Sequence, residues 1–183
     1  WDINECFMMG ILPGFVGGAE GRMAYQSGEV PLNDAKMVSA FQAMADVAQY
    51  CPNGFAALTY NDSIALFATG QAAMWVDGSW SAGAFKDVSF DWGAFAPPAP
   101  AGQKAAICFH PDTGMAYNKA GKHIQECKDF LAWLCTVQGA TVSAEFMPTG
   151  FFPMINSPIE IKDAHANEIL GLTTEKLQDA RFV

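Results

Sequence analysis

The sequence predicts an α/β chain, and three observations carry that expectation. First, residues 67–80 read as the end of a helix, a glycine stop at Gly70, a short apolar run over 72–76, and a turn at Asp77-Gly78 that presents Trp80. Second, two apolar runs of strand length, 72–76 and 105–109, stand between segments whose apolar residues recur at helical spacing. Third, 183 residues with 51% apolar content suffice for one substantial core, and no segment is low in complexity.

Taken in order, residues 1–28 carry Gly10, Pro13-Gly14, Gly17-Gly18, Gly21 and Gly28, which predicts irregular structure. Asn33 is the expected N-cap of a helix to about Tyr50, with Met37, Phe41, Met44 and Ala48 on one face and Cys51-Pro52-Asn53-Gly54 as its stop. Asp62 or Ser63 is expected to cap a short helix over 64–69, which gives Asp62 a structural role. Gly70 then takes the left-handed position, 72–76 forms the central strand, and helical turns run to Lys86 from Ser81 or from Ser79. Phe90, Trp92 and Ala94 alternate with Asp91, Gly93 and Phe95 as an imperfect strand ending at Pro97-Pro98, and Trp92 is expected in the core. A strand over 105–109 leads into the turn-rich His110-Pro111-Asp112-Thr113-Gly114. Residues 121–136 form the clearest helix, with Ile124, Cys127, Phe130 or Leu131, and Leu134 on one face. A further helix over 138–147 stops at Pro148-Thr149-Gly150, and the tail from Ile159 is helical in pieces broken near Gly171.

A strand ending in Asp-Gly-Ser-Trp delivers a carboxylate and an indole to its C-terminal edge, where open α/β sheets bind ligands. The indole suits stacking on the C–H face of a sugar ring, and the carboxylate accepts hydroxyl hydrogen bonds. If the turns after Asp77 begin at Ser79, their backbone N–H groups add donors at the same edge. The formal net charge of −9 argues against nucleic acid or an anionic membrane surface as partner. Arg22 and Arg181 are the only arginines, and neither is near the central motif, so a neutral solute fits better than an anion. No run approaches the roughly 20 apolar residues of a membrane span.

Catalytic and metal signatures are sparse. His110, His123 and His165 show no metal or nucleophile spacing, and neither G-x-S-x-G nor a phosphate-cradling loop is present. Cys6, Cys51, Cys108, Cys127 and Cys135 form no metal pattern. Cys127 and Cys135 fall about 12 Å apart along one helix, too far to bridge. A glycosidase needs two carboxylates about 5 to 10 Å apart, for which Asp77 with Glu5 or Asp112 is the available pairing. Neither a metal nor a cofactor is expected.

The residues Phe67, Gly70, Gln71-Ala72-Ala73-Met74, and Gly78 with Trp80 resemble the bacterial extracellular solute-binding proteins that feed carbohydrate ABC importers. Phe90-Asp91-Trp92-Gly93 with Pro97-Pro98, then Thr113-Gly114-Met115-Ala116-Tyr117-Asn118, then Ala132-Trp133-Leu134 followed by Gly139, continue the family's pattern in its order. The resemblance covers about half of the chain. It implies a periplasmic-binding-protein-like (type II) fold of two α/β lobes closing over the solute, with this chain holding mainly the C-terminal lobe. Residues 1–112 then belong to that lobe, 113–150 cross to the N-terminal lobe, and 151–183 return. The first lobe and an export signal are expected upstream. The implied ligand contacts are Trp80 as stacking platform, Asp77 beside it, Glu5 and Phe7 from the first segment, and Thr113 and Gly114 from the opposite wall. The implied function is capture of a mono- or oligosaccharide without catalysis, in the periplasm or outside the cell, with a lipid-anchored form compatible and membrane permease subunits as partners. A polyol- or polyamine-binding protein is the nearer alternative, and a carbohydrate-acting enzyme the more distant one.

Overall fold

The computed structural model describes residues 2–109, 114–146, 150, 152, 155–175 and 177–179, with residues 2–7, 146, 175 and 177–179 as backbone alone. The first 28 residues depart from the expected irregular structure: helix α1 spans Asp2–Val16 and helix α2 spans Gly18–Gln26. Glycine in a helix interior costs roughly 1 kcal/mol against alanine. Pro13 inside the helix adds a cost of about 3 kcal/mol, and burial of Leu12 and Val16, at about 1.5–3 kcal/mol for each side chain, is of the size that offsets these costs. The glycines also have a packing use. Gly10 and Gly14 share one face of α1, and a Cβ there would sit 3.2 Å from Val76 Cγ1 and 3.5 Å from Ala99 Cβ respectively, so two irregular segments lie close against the helix. Gly17, at φ 93°, ends α1.

Helix α3 (Ala35–Ala48) is capped one residue later than expected, by Asp34, whose side chain accepts from Lys36 N at 2.8 Å. Met37 and Ala40 are buried and Met44 and Ala48 half-buried, whereas Phe41 turns outward at 55% exposure. Leu12, Val16, Tyr25, Met37 and Ala40 form the core shared by α1, α2 and α3, with Met8, Phe15 and Val30 packed on it.

Helix α4 (Tyr60–Ala68) begins before the expected 64–69 stretch because Thr59 is its N-cap. Asp62 completes a capping box by accepting from Thr59 N at 2.9 Å, so its role is structural as expected. The exit is a Schellman motif: Gly70, at φ 72°, donates to Phe67 O at 2.9 Å, and Gln71 N to Leu66 O at 2.8 Å. Residues 72–78 then run without regular secondary structure and do not form the expected strand, since no ladder partner lies beside them among the described residues. Side chains hold the segment instead: Val76 lies against Gly10, and Trp75 Nε1–H donates to Ser63 Oγ at 3.2 Å. A 3-10 helix follows at Ser79–Phe85, starting at the earlier of the two expected positions.

Residues 90–95 also lack a strand partner among the described residues. Phe90, Trp92 and Ala94 are nonetheless half-buried while Asp91, Gly93 and Phe95 are exposed, so the alternation reports burial correctly. The expected strand over 105–109 is present as β1 (Ala106–Cys108). Helices α5 (Ile124–Leu134), α6 (Val137–Phe146) and α7 (Ala164–Glu175) follow, and α7 runs through Gly171 where a break was expected. Strand β2 (Leu177–Asp179) pairs parallel with β1, Ala106 facing Leu177. The described chain is therefore mostly helical, and the α/β character expected of it is confined to this two-stranded parallel sheet.

Candidate functional site

Phe85, 5% exposed, is the hub of an aromatic cluster that anchors the segments around Trp80. Phe67, Trp75 and Trp92 each present an edge-to-face contact to it, with centroids 4.9, 5.5 and 5.5 Å away. Phe90 adds a further edge contact on Phe67 at 5.7 Å. Such pairs contribute about 0.5–1.5 kcal/mol each beyond their burial. Trp75 and Trp92 pack in this cluster as half-buried aromatics, so Trp92 lies at the edge of the packed interior and not within the core expected for it; it also stacks on His165 of α7 at 3.9 Å and 18°.

On this base sits a polar network. Tyr60, the first residue of α4, donates its phenol hydrogen to Asp77 Oδ2. Ser81 Oγ donates to the same oxygen at 2.5 Å and lies 2.9 Å from the Tyr60 hydroxyl. Trp80 Nε1–H donates to the Tyr60 hydroxyl at 2.9 Å. Burial first, and then the hydrogen bond to Asp77, raises the Tyr60 pKa above the ordinary phenol value. The phenol therefore keeps its proton at neutral pH and serves as donor to the carboxylate and acceptor for the indole. The indole also folds over Gly78, where a Cβ would lie 2.1 Å from ring carbon Cζ3. Gly78 is required by this close approach, in addition to the turn that the sequence signals.

The structure brings Asp77 and Trp80 into one network through Tyr60, and both are half-buried. Glu5 and Phe7 lie in the first half of α1, which passes Val76 at Gly10, immediately before Asp77. Thr113 lies outside the described residues. Gly114 is exposed, with nothing within 4 Å of where a Cβ would stand, and takes no part in the network. Three participants are missing from the sequence reading. Ser81, four residues after Asp77, had a spacing signal; Tyr60 and Gly150 had none. Gly150, at φ 94°, accepts from Ser79 Oγ at 2.6 Å, and a Cβ on it would collide with Ser79 O at 1.7 Å.

Among the described residues no three His, Cys, Asp or Glu side chains gather closely enough to hold a metal ion. Cys51, Cys127 and Cys135 are free thiols. No described helix is long and apolar enough to cross a membrane.

Residues 8–141 match the family model of the bacterial extracellular solute-binding proteins, a span that contains the whole Tyr60–Ser81 network. The chain belongs to that family. As a solute-binding protein it is also similar to an uncharacterised ABC transporter extracellular-binding protein of Pyrococcus horikoshii, with 28% identity over 142 residues. That match covers 75% of this chain and 30% of the relative, so the chain spans under a third of the relative's length.

Proposed function

We propose that this chain is part of the substrate-binding component of an ABC importer that captures a mono- or oligosaccharide between two lobes and catalyses no reaction. The observation that carries the reading is Trp80: a half-buried indole, backed by Gly78 and tethered at its N–H, beside the Asp77 carboxylate. A sugar face stacks on such a ring, and the neighbouring acid supplies polarity for its hydroxyls. Glu5 and Phe7 complete this wall, and Thr113 and Gly114 approach from the other. In this reading 1–112 belong to the C-terminal lobe, 113–150 cross to the N-terminal lobe and 151–183 return. The protein works in the periplasm or outside the cell, as a lipid-anchored form where one exists, and hands its solute to membrane permease subunits.

A polyamine would need several carboxylates around an aromatic box. Among the described residues the network holds one carboxylate, Asp77, which accepts from two protein hydroxyls, and this favours a neutral solute. Calorimetric titration of the full-length protein against mono- and oligosaccharides, polyols, spermidine and putrescine tests the reading. Saccharide binding is expected, with Trp80→Ala weakening it at least about thirtyfold, as loss of a desolvated aromatic anchor does. Heat with spermidine and none with any sugar sinks the sugar assignment, and release of product from an oligosaccharide replaces it with an enzyme.

A further inference from the structure

The network invites a question about division of labour, because a platform is useful only if it is held still. An indole has two rotatable side-chain bonds, and left alone near a surface it samples several staggered positions. Trp80 is restrained at two points: its ring lies over Gly78, and its N–H reaches the Tyr60 hydroxyl at 2.9 Å. Gly78 moves with the same loop, whereas Tyr60 belongs to a different element. That element is well fixed, since Tyr60 directly follows the Thr59 cap of α4, and its ring lies 6.1 Å from that of Trp75. The phenol is fixed in turn by Asp77 Oδ2, which also accepts from Ser81.

We propose that Tyr60 is a positioning residue for solute binding: anchored on Asp77, its hydroxyl holds the Trp80 indole in the stacking orientation before the solute arrives. The inference rests on the reading of Trp80 as the platform. Asp77 Oδ2 then works inward, on the solute through Tyr60 and Trp80. Ordering the indole in advance removes a cost that binding would otherwise carry, so losing the tether lowers affinity by about three- to tenfold.

The test uses the full-length protein labelled with 5-fluorotryptophan, with the Trp80 fluorine line assigned from Trp80→Phe. Tyr60→Phe removes the hydroxyl and keeps the ring. The expected result is a shifted and broadened Trp80 line with the Trp92 and Trp133 lines unmoved. Affinity for a saccharide found in the titration panel falls about three- to tenfold, and this loss disappears when Trp80 is already alanine. A merely structural role would not confine the spectral change to Trp80 or make the loss depend on it. An unmoved Trp80 line, or an equal loss in the Trp80→Ala background, overturns the proposal. If no saccharide binds the parent protein, the sugar reading fails and the fluorine line alone decides the positioning role. If Tyr60→Phe does not fold, Asp77→Asn, which weakens the anchor of the phenol at nearly constant shape, carries the same fluorine comparison.

Discussion

Gly78 allows the stacking role proposed for Trp80 to be tested from beneath, without touching its polar tether. A methyl group at this position would enter the Trp80 ring, with three ring carbons within 2.4 Å, so Gly78→Ala must displace the indole. The backbone itself is no obstacle, because Gly78 has φ −91° and ψ 164°, an extended conformation open to alanine. Gly78→Ala is therefore expected to weaken saccharide binding about as much as Trp80→Ala, measured by the same titration, while the buried Phe85 cluster keeps the protein folded. Binding equal to that of the parent would show that the ring position is irrelevant to the solute. At this scale the sequence is informative where one residue's role follows from its neighbours. Asp77 and Trp80 are legible because an apolar run ends just before them. Tyr60 is not, because its partner lies 17 residues away and no local pattern couples a helix start to a distant carboxylate.

Among the elements, α4 is the piece that sets Tyr60, and its start can be titrated. The Thr59 hydroxyl, and then the Thr59 backbone N–H, hold the Asp62 carboxyl below its ordinary pKa. A depressed folded-state pKa means stabilisation that is present above the unfolded value and lost as pH falls through the folded one. As pH falls through and below the ordinary carboxylate range, Asp62→Asn should therefore lose less melting temperature than the parent, because it has no such contribution to surrender. An identical acid slope in the two proteins would remove the capping box from the account. Element legibility divides along the same physical line. The Gly70 stop and the Ala106–Cys108 strand follow from local chemistry and apolar runs, and both are present. The strand expected at 72–76 requires a partner that no local pattern supplies. The helix across Asp2–Val16 defies its glycines because Leu12 and Val16 find a core.

At the scale of the whole molecule, packing is unevenly distributed. Helices α1 and α3 share the buried core, and α7 reaches the site through the His165–Trp92 stack. By contrast, α5 has no buried residue and packs chiefly against α6. Its Phe130 is 55% exposed and Val137 at the start of α6 is 50% exposed. The sequence marks α5 as amphipathic, but periodicity names a face without naming what covers it, and here Ile124, Leu131 and Leu134 are half-buried while Cys127 and Phe130 are exposed. Among the described residues, the exposed Lys162–Glu145 ion pair, which contributes little, links α6 to the segment before α7, and Gly150, beyond α6, contacts Ser79. Local opening free energies follow buried contact, so α5 should open separately from the core. Hydrogen exchange on this chain is expected to show the amides of α5 exchanging through a low-energy local opening, while those around Leu12, Val16 and Ala40 exchange only with global unfolding. Gly150→Ala, which forces residue 150 away from Ser79 by direct collision, should accelerate exchange in α6 and leave α1 unchanged. If α5 is as strongly protected as α1, the two helices belong to the main body, and the assignment of 113–150 to a separate lobe must be abandoned.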